Sequence, residues 1–168
     1  MKKWIAGIGA VALVGAGAAA AVVVGSDTTV ERVVDGDTVD VSTWSGTKRV
    51  RLLNINAPEL GHFGDPEECL AQEAKDRLEE LLPEGTEVSL EYDNDRRDRY
   101  GRDLAGVFVG EDFINEHMVR DGLAHAVVYE PNRKFYDRIL AAEAEPRENG
   151  AGVFGAEPAC VVGPDELG

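Results

Sequence analysis

Basic residues are scarce in this 168-residue chain: 17 lysines and arginines stand against 32 aspartates and glutamates, a formal net charge of −15. A deficit of that size ordinarily argues against a polyanionic partner. It does not decide the matter, because local charge at a site can oppose the global sign. Arginines gather at Arg49 and Arg51 and again at Arg96, Arg97, Arg99 and Arg102, whereas the acidic excess lies mostly in segments such as PEECLAQEAKDRLEE and AAEAEPREN. Cysteine is almost absent. The two present, Cys69 and Cys160, are too few for a disulfide-dense scaffold, but an even count in an exported chain favours one bridge. Such a bridge closes a loop of about 90 residues, worth roughly 4 kcal/mol on the chain-entropy model; two separate thiols are the alternative. Internal repeats and low-complexity tracts are missing beyond the N-terminal segment, which excludes repeat architectures. The three histidines, His62, His117 and His125, are weak signals, most simply surface or packing residues.

What is present begins with a leader. Lys2 and Lys3 precede an uncharged apolar run from Trp4 to Val24, a positive region followed by a hydrophobic one. Export is therefore expected, with residues 1–25 either a cleaved signal peptide or a retained anchor that places residues 4–24 in the membrane. Residues 26–168 then form one domain with a short C-terminal tail, secreted or held at the outer face of the cytoplasmic membrane.

From Val30 the pattern is that of strands. TTVERVV, a DGDT turn, TVDVSTW, a Ser45-Gly46 turn and KRVRLLNI predict a three-stranded meander. Asp65-Pro66-Glu67-Glu68 reads as a helix start, with Asp65 as cap and Pro66 in the first turn. Leu70, Ala74, Leu78 and Leu81 supply the apolar stripe of that helix. TEVSLEYD and DLAGVFVG are a fourth and a fifth strand. Residues 112–121 are a short helix stopped by Gly122, LAHAVVY is extended, and residues 133–145 are a last helix. The expected class is α+β and β-rich: a five-stranded Greek-key barrel of the OB type with about three packed helices.

Polar residues collect at the strand ends. Asp35 and Asp37 lie in the first hairpin, Arg51 and Glu59 bracket RLLNINAPE, and Arg102 closes DRYGR. Each has an ordinary reading as a turn, a loop acid or a strand-end charge. Together they offer an oxygen ligand for a hard cation, arginines that clamp a phosphate and a carboxylate that deprotonates water.

The segments VVDGDTV, VRLLNINAPE, DRYGRDLAGVFV, INEHMVRDGLAHA and VYEP resemble the staphylococcal nuclease (thermonuclease) family over roughly residues 30–154. The resemblance implies an OB barrel, one Ca²⁺ ion, DNA and RNA as substrates and 3′-phosphate products; a monomer is expected. By motif it makes Arg51, Glu59 and Arg102 catalytic and assigns the metal to Asp37, Asn56 and the carbonyl of Ala57, with Asp35 and Thr38 close by. Arg99, Tyr100 and Tyr129 fall to substrate binding, and Glu130-Pro131 is expected to be cis. Two departures stand out. Asn56 replaces the family's second metal-binding aspartate, keeping an oxygen and losing a charge, so calcium binding should weaken. Val127 replaces an aromatic. The alternative to an active enzyme is a catalytically weakened nucleic-acid-binding module. For the enzyme, replacing Arg51 or Arg102 by alanine is expected to cost turnover and leave the fold intact.

Overall fold

The structure is a computed structural model that describes residues 28–61 and 66–155. The leader, His62, Asp65 and Cys160 lie outside the described residues, so the export, helix-cap and disulfide expectations that rest on them are not addressed. No described helix is long and apolar enough to cross a membrane.

The meander forms as the alternation predicts: β1 (Thr29–Asp35), β2 (Thr38–Thr43) and β3 (Gly46–Leu52) pair antiparallel in order. Val30, Val33, Val39, Val41 and Val50 turn inward and are buried. Their burial is the main driving force here, at about 25 cal/mol per Å² of apolar surface removed from water. The expected third strand does not run through to Ile55. Leu53 and Asn54 form a turn, Asn54 adopts φ 63°, and the chain resumes as β4 (Ile55–Asn56). Asparagine tolerates that left-handed conformation better than most residues. Here its amide nitrogen donates to the carbonyls of Val127 (3.1 Å) and Asn132 (3.0 Å), which holds the bend.

Beyond β4 come α1 (Ala71–Leu81), β5 (Ser89–Glu91), β6 (Asp103–Val109), β7 (Asp112–Phe113), α2 (Ile114–Arg120), β8 (His125–Ala126) and α3 (Tyr136–Asn149). The sheet order is β1-β2-β3-β6-β5, with β3 and β6 parallel, β7 added beside β6, and β4 paired separately with β8. The five strands expected are thus the main path, and three short ones extend the count. Val30 N donates to Thr86 O (2.9 Å) and Val88 N to Thr28 O (3.0 Å). These bonds tie β1 to the segment leading into β5, so the two ends of the strand order meet.

Two helix boundaries differ from expectation. α1 starts at Ala71, because Leu70 sits at φ 66° and Glu68 is engaged elsewhere: its N–H donates to Glu59 O (3.1 Å) and its carboxylate accepts from Glu59 N (2.7 Å). α3 starts at Tyr136, because the carboxylate of Asp93 accepts the N–H groups of Arg133 and Lys134, both at 2.7 Å, and holds them outside the helix. Of the stripe predicted for α1, Ala74 and Leu78 are buried while Leu70 and Leu81 are half-buried; Ala71 joins the buried side. The buried Asn115 of α2 receives Val107 N (3.0 Å) and donates to Leu53 O (2.8 Å), locking helix, sheet and bend together.

Candidate active site

A cleft of about 1100 Å³ opens over the sheet, and Arg51, Asn56, Glu59, Arg99, Tyr100, Arg102 and Tyr129 all contribute to its lining. These sequence-predicted residues come from β3, β4, the loop after β4, the loop before β6 and the segment after β8, and the fold brings them to one place. Asp35, Asp37, Thr38 and Ala57 are buried and do not line the cleft.

The turn between β1 and β2 is forced close to the rest of the molecule. A Cβ at Gly36 would come within 2.7 Å of Ala74 Cβ and 2.8 Å of Ala57 Cβ, so only glycine fits between α1 and the loop after β4. Asp37 is thereby pressed inward and is 1% exposed. Its Oδ2 accepts from Ala57 N (2.8 Å) and meets Arg51 Nη1 at 2.5 Å, while Thr38 Oγ1 donates to its Oδ1 (3.2 Å). Asp35 Oδ1 accepts the N–H of Asp37 (3.1 Å).

Arg51 is not the exposed strand-end charge that its sequence position suggests. Its side chain is 4% exposed, and both terminal nitrogens of its guanidinium find acceptors. Nη1 also donates to Ile55 O (3.1 Å), and Nη2 donates to Asn56 Oδ1 (2.8 Å) and Tyr129 Oη (3.1 Å). The Tyr129 hydroxyl is pushed up to about 12, chiefly by burial, with Arg51 opposing. It therefore remains a neutral hydrogen-bonding group at working pH.

The electrostatics of this floor are lopsided. Burial raises the Asp37 carboxyl well above its usual range against the pull of Arg51, and the charges of Asp35 and Glu59 raise it further. Burial also raises Glu59, with Asp35 adding to the effect and Arg51 and Arg102 opposing it. A carboxylate with a raised pKa is a stronger proton acceptor, the requirement for a base acting on water near neutrality.

Arg102 belongs to the rim. Its Nε donates to Asp98 Oδ2 (2.6 Å), and Asp98 Oδ1 accepts the N–H groups of Tyr100 and Arg102, both at 2.9 Å. Arg99 and Arg102 flank the Tyr100 ring at 4.8 and 5.5 Å from its centroid, and Tyr100 is 69% exposed. The lining also holds residues to which the sequence reading gave no site role, Glu68 and Asp98 among them. Glu68 was hidden by its apparent place in a helix start. Asp98 lies in a loop, where the helical i,i+4 spacing to Arg102 carries no pairing signal, so its partner shows only in the structure. The remaining expectations resolve simply: Glu130-Pro131 is cis, and Val127 is half-buried.

The floor suits a hard divalent cation. Its donors are all oxygen, and Asp35, Asp37 and Glu59 face a single buried guanidinium, a surplus of negative charge that a cation would offset. Among the described residues no three Asp, Glu, His or Cys side chains converge closely enough to hold a metal unaided. Any ion held here would need oxygen ligands beyond these acids, and Asn56 Oδ1, the side-chain oxygen at hand, already accepts from Arg51 Nη2 (2.8 Å).

Comparison with known proteins identifies the lineage. The staphylococcal nuclease homologue family matches residues 49–155. The chain belongs to that family. The matched span takes in Arg51, Asn56, Glu59, Arg102 and Tyr129, while Asp35 and Asp37 precede it. The thermonuclease of Staphylococcus hyicus is 36% identical over 117 residues, covering 70% of this chain and 69% of the relative. The SPbeta prophage-derived endonuclease YokF of Bacillus subtilis is 39% identical over 123 residues, 72% of this chain and 41% of the relative. Endonuclease YncB of the same organism is 38% identical over 124 residues, 72% and 58%. The chain thus spans about half the length of the two Bacillus relatives.

Proposed function

We propose that this member of the staphylococcal nuclease family is a calcium-dependent endonuclease acting outside the cytoplasmic membrane on DNA and RNA, leaving 3′-phosphate ends. The hydrolase class follows from family membership; the finer statements are our reading. The observation that carries it is the convergence of Arg51, Asn56, Glu59, Arg102 and Tyr129 on one cleft above the buried Asp35-Asp37 turn. Asp37, Asn56 Oδ1 and the Ala57 carbonyl would hold Ca²⁺, with Asp35 and Thr38 close by. A bound ion supplies charge neutralisation and polarisation of a phosphoryl oxygen. Glu59 takes the proton from the attacking water. Arg51 and Arg102 approach the phosphate from the floor and the rim, where preorganised donors stabilise developing charge. Tyr100 and Arg99 offer a flat cationic face to a base or sugar.

The leader motif supports export of residues 26–168 as the nuclease domain. A Cys69–Cys160 disulfide is expected, and non-reducing peptide mapping of the exported protein checks it. The decisive experiment is digestion of single-stranded DNA, double-stranded DNA and RNA by the full-length protein across a calcium titration. Cleavage that rises with calcium is expected; none at millimolar calcium defeats the proposal. The second reading, a weakened binding module, is favoured by one observation only: neutral Asn56 already receives a hydrogen bond from Arg51.

A further inference from the structure

Beside the cleft lies a second groove of about 460 Å³ lined by Lys48, Arg96, Arg97 and Asp103. The two differ in charge. The cleft is lined by five arginines and six carboxylates, whereas the groove has three cations and one carboxylate. On a chain of net charge −15, the local positive excess therefore sits in the groove, not in the cleft. Arg97 lines both, so the two surfaces are continuous.

The cations are held in place. Asp103, 5% exposed at the start of β6, accepts from Lys48 Nζ (3.3 Å), Arg97 Nε (2.9 Å) and Tyr92 Oη (3.0 Å). Leu104 N donates to Arg96 O (2.9 Å), and Arg97 forms a bridge with Asp103, so both arginines stand on backbone tied to the sheet. The Arg96 guanidinium lies 4.0 Å from the centroid of the Tyr92 ring and also hydrogen-bonds that tyrosine's side chain. Tyr92 fixes its plane, and the guanidinium N–H groups that the tyrosine does not engage can meet an anion. One buried acid thus anchors two cations, and a tyrosine orients a third.

We propose that this groove is a separate binding subsite for the phosphodiester backbone of a nucleic-acid strand that continues past Arg97 from the catalytic cleft. The inference deepens the nuclease reading and rests on it for the identity of the polyanion. Strands that reach only the cleft gain nothing from the groove, while longer strands add phosphate contacts with Lys48 and Arg96. Each neutralised phosphate contributes about 0.7 to the slope of log affinity against log salt for a single strand.

The test is binding of fluorescent single-stranded DNA of about 4 and about 16 nucleotides to the full-length protein in EDTA, across a salt series. The parent is compared with a Lys48→Gln, Arg96→Gln double variant. Neither residue belongs to the catalytic machinery, and Asp103 keeps Arg97 and Tyr92 as partners; thermal melting confirms the fold. For the long strand the variant should lose affinity several-fold and flatten the salt slope by about 1.4, with the short strand unaffected. An unchanged affinity and slope for the long strand overturns the proposal. So does an equal loss for both lengths, which would mean that these cations act through the cleft. Cleavage at added calcium is read separately. A parent that never cleaves but shows the length-dependent loss would sink the catalytic reading and leave the groove standing.

Discussion

The floor and the rim of the cleft use arginine in opposite ways. On the floor, Arg51 is 4% exposed and bonded to Asp37, Ile55, Asn56 and Tyr129. On the rim, Arg102 retains 28% exposure and has one carboxylate partner, Asp98. Burial makes the floor a structural unit as well as a chemical one, since each charge there depends on another for its solvation. Solvent screens the rim, so its charges can be changed with little effect on the rest of the molecule. The two arginines should therefore fail differently.

Arg51→Ala should show the largest effect. On the proposed function it removes a transition-state donor, worth about 3 kcal/mol or roughly two orders of magnitude in turnover. It also leaves Asp37 buried without its cation, a change that commonly costs about 3–5 kcal/mol of stability. Protonation of Asp37, already favoured by burial, should hold the loss to the lower end. The simpler expectation from sequence, lost turnover with an intact fold, is thus revised. Urea unfolding of parent and variant decides it, and a stability within 1 kcal/mol of the parent would contradict the floor as described. Arg51→Lys should recover part of the stability and little of the rate, because an ammonium cannot reproduce the fork that serves four partners.

Arg102→Ala should lose a similar factor in turnover and less than about 1 kcal/mol in stability. Asp98 would still cap the loop through the N–H groups of Tyr100 and Arg102. A large drop in unfolding free energy would mean that the rim, too, is structural, and the comparison would collapse.

The reason this contrast was illegible in sequence is physical. The meander, the core valines and the class of fold follow from local alternation, which is why β1, β2 and β3 form where expected up to Leu52. Arg51 also alternates correctly, but its partners come from the first hairpin, β4 and the segment after β8. Only the topology brings those together. The bend at Asn54 depends on carbonyls of Val127 and Asn132 over 70 positions away, and the late start of α1 depends on Glu68 binding back to Glu59. The motif residues were visible as residue types; their burial was not.

Asn56→Asp probes the floor with a smaller change. Two unit charges about 4 Å apart at an effective dielectric near 20 attract by roughly 4 kcal/mol before desolvation and repulsion are subtracted. Asp37 and Asp35 supply repulsion, and Arg51 Nη2, already 2.8 Å from the Asn56 oxygen, competes for the new charge. A net tenfold gain in calcium affinity, about 1.4 kcal/mol, is expected. Calorimetric titration of both proteins reads it. Unchanged affinity would remove Asn56 from the ligands, and a strongly active variant of an inactive parent would favour the weakened-module reading.

The smallest expected effect is a pH dependence that separates Glu59 from the rest of the floor. Burial chiefly, then Asp35, raises its carboxyl above the usual 4.5. The native state therefore binds this proton more tightly than the unfolded chain does. Its contribution to stability is whole below pH 4.5 and is lost as pH rises through the folded value. Glutamine at this position does not titrate, and losing the Glu59 charge that helps to raise Asp37 acts in the same direction. In EDTA, the stability of Glu59→Gln relative to the parent should therefore climb as pH rises from 4.5 and level off above the folded value. Calcium should shrink that difference, since an ion on the floor offsets the charge that makes ionised Glu59 unfavourable. Urea midpoints at a series of pH values, with and without calcium, measure both. A difference that stays flat or falls with pH would show that Glu59 behaves as a solvated rim acid, moving it to the other side of the comparison.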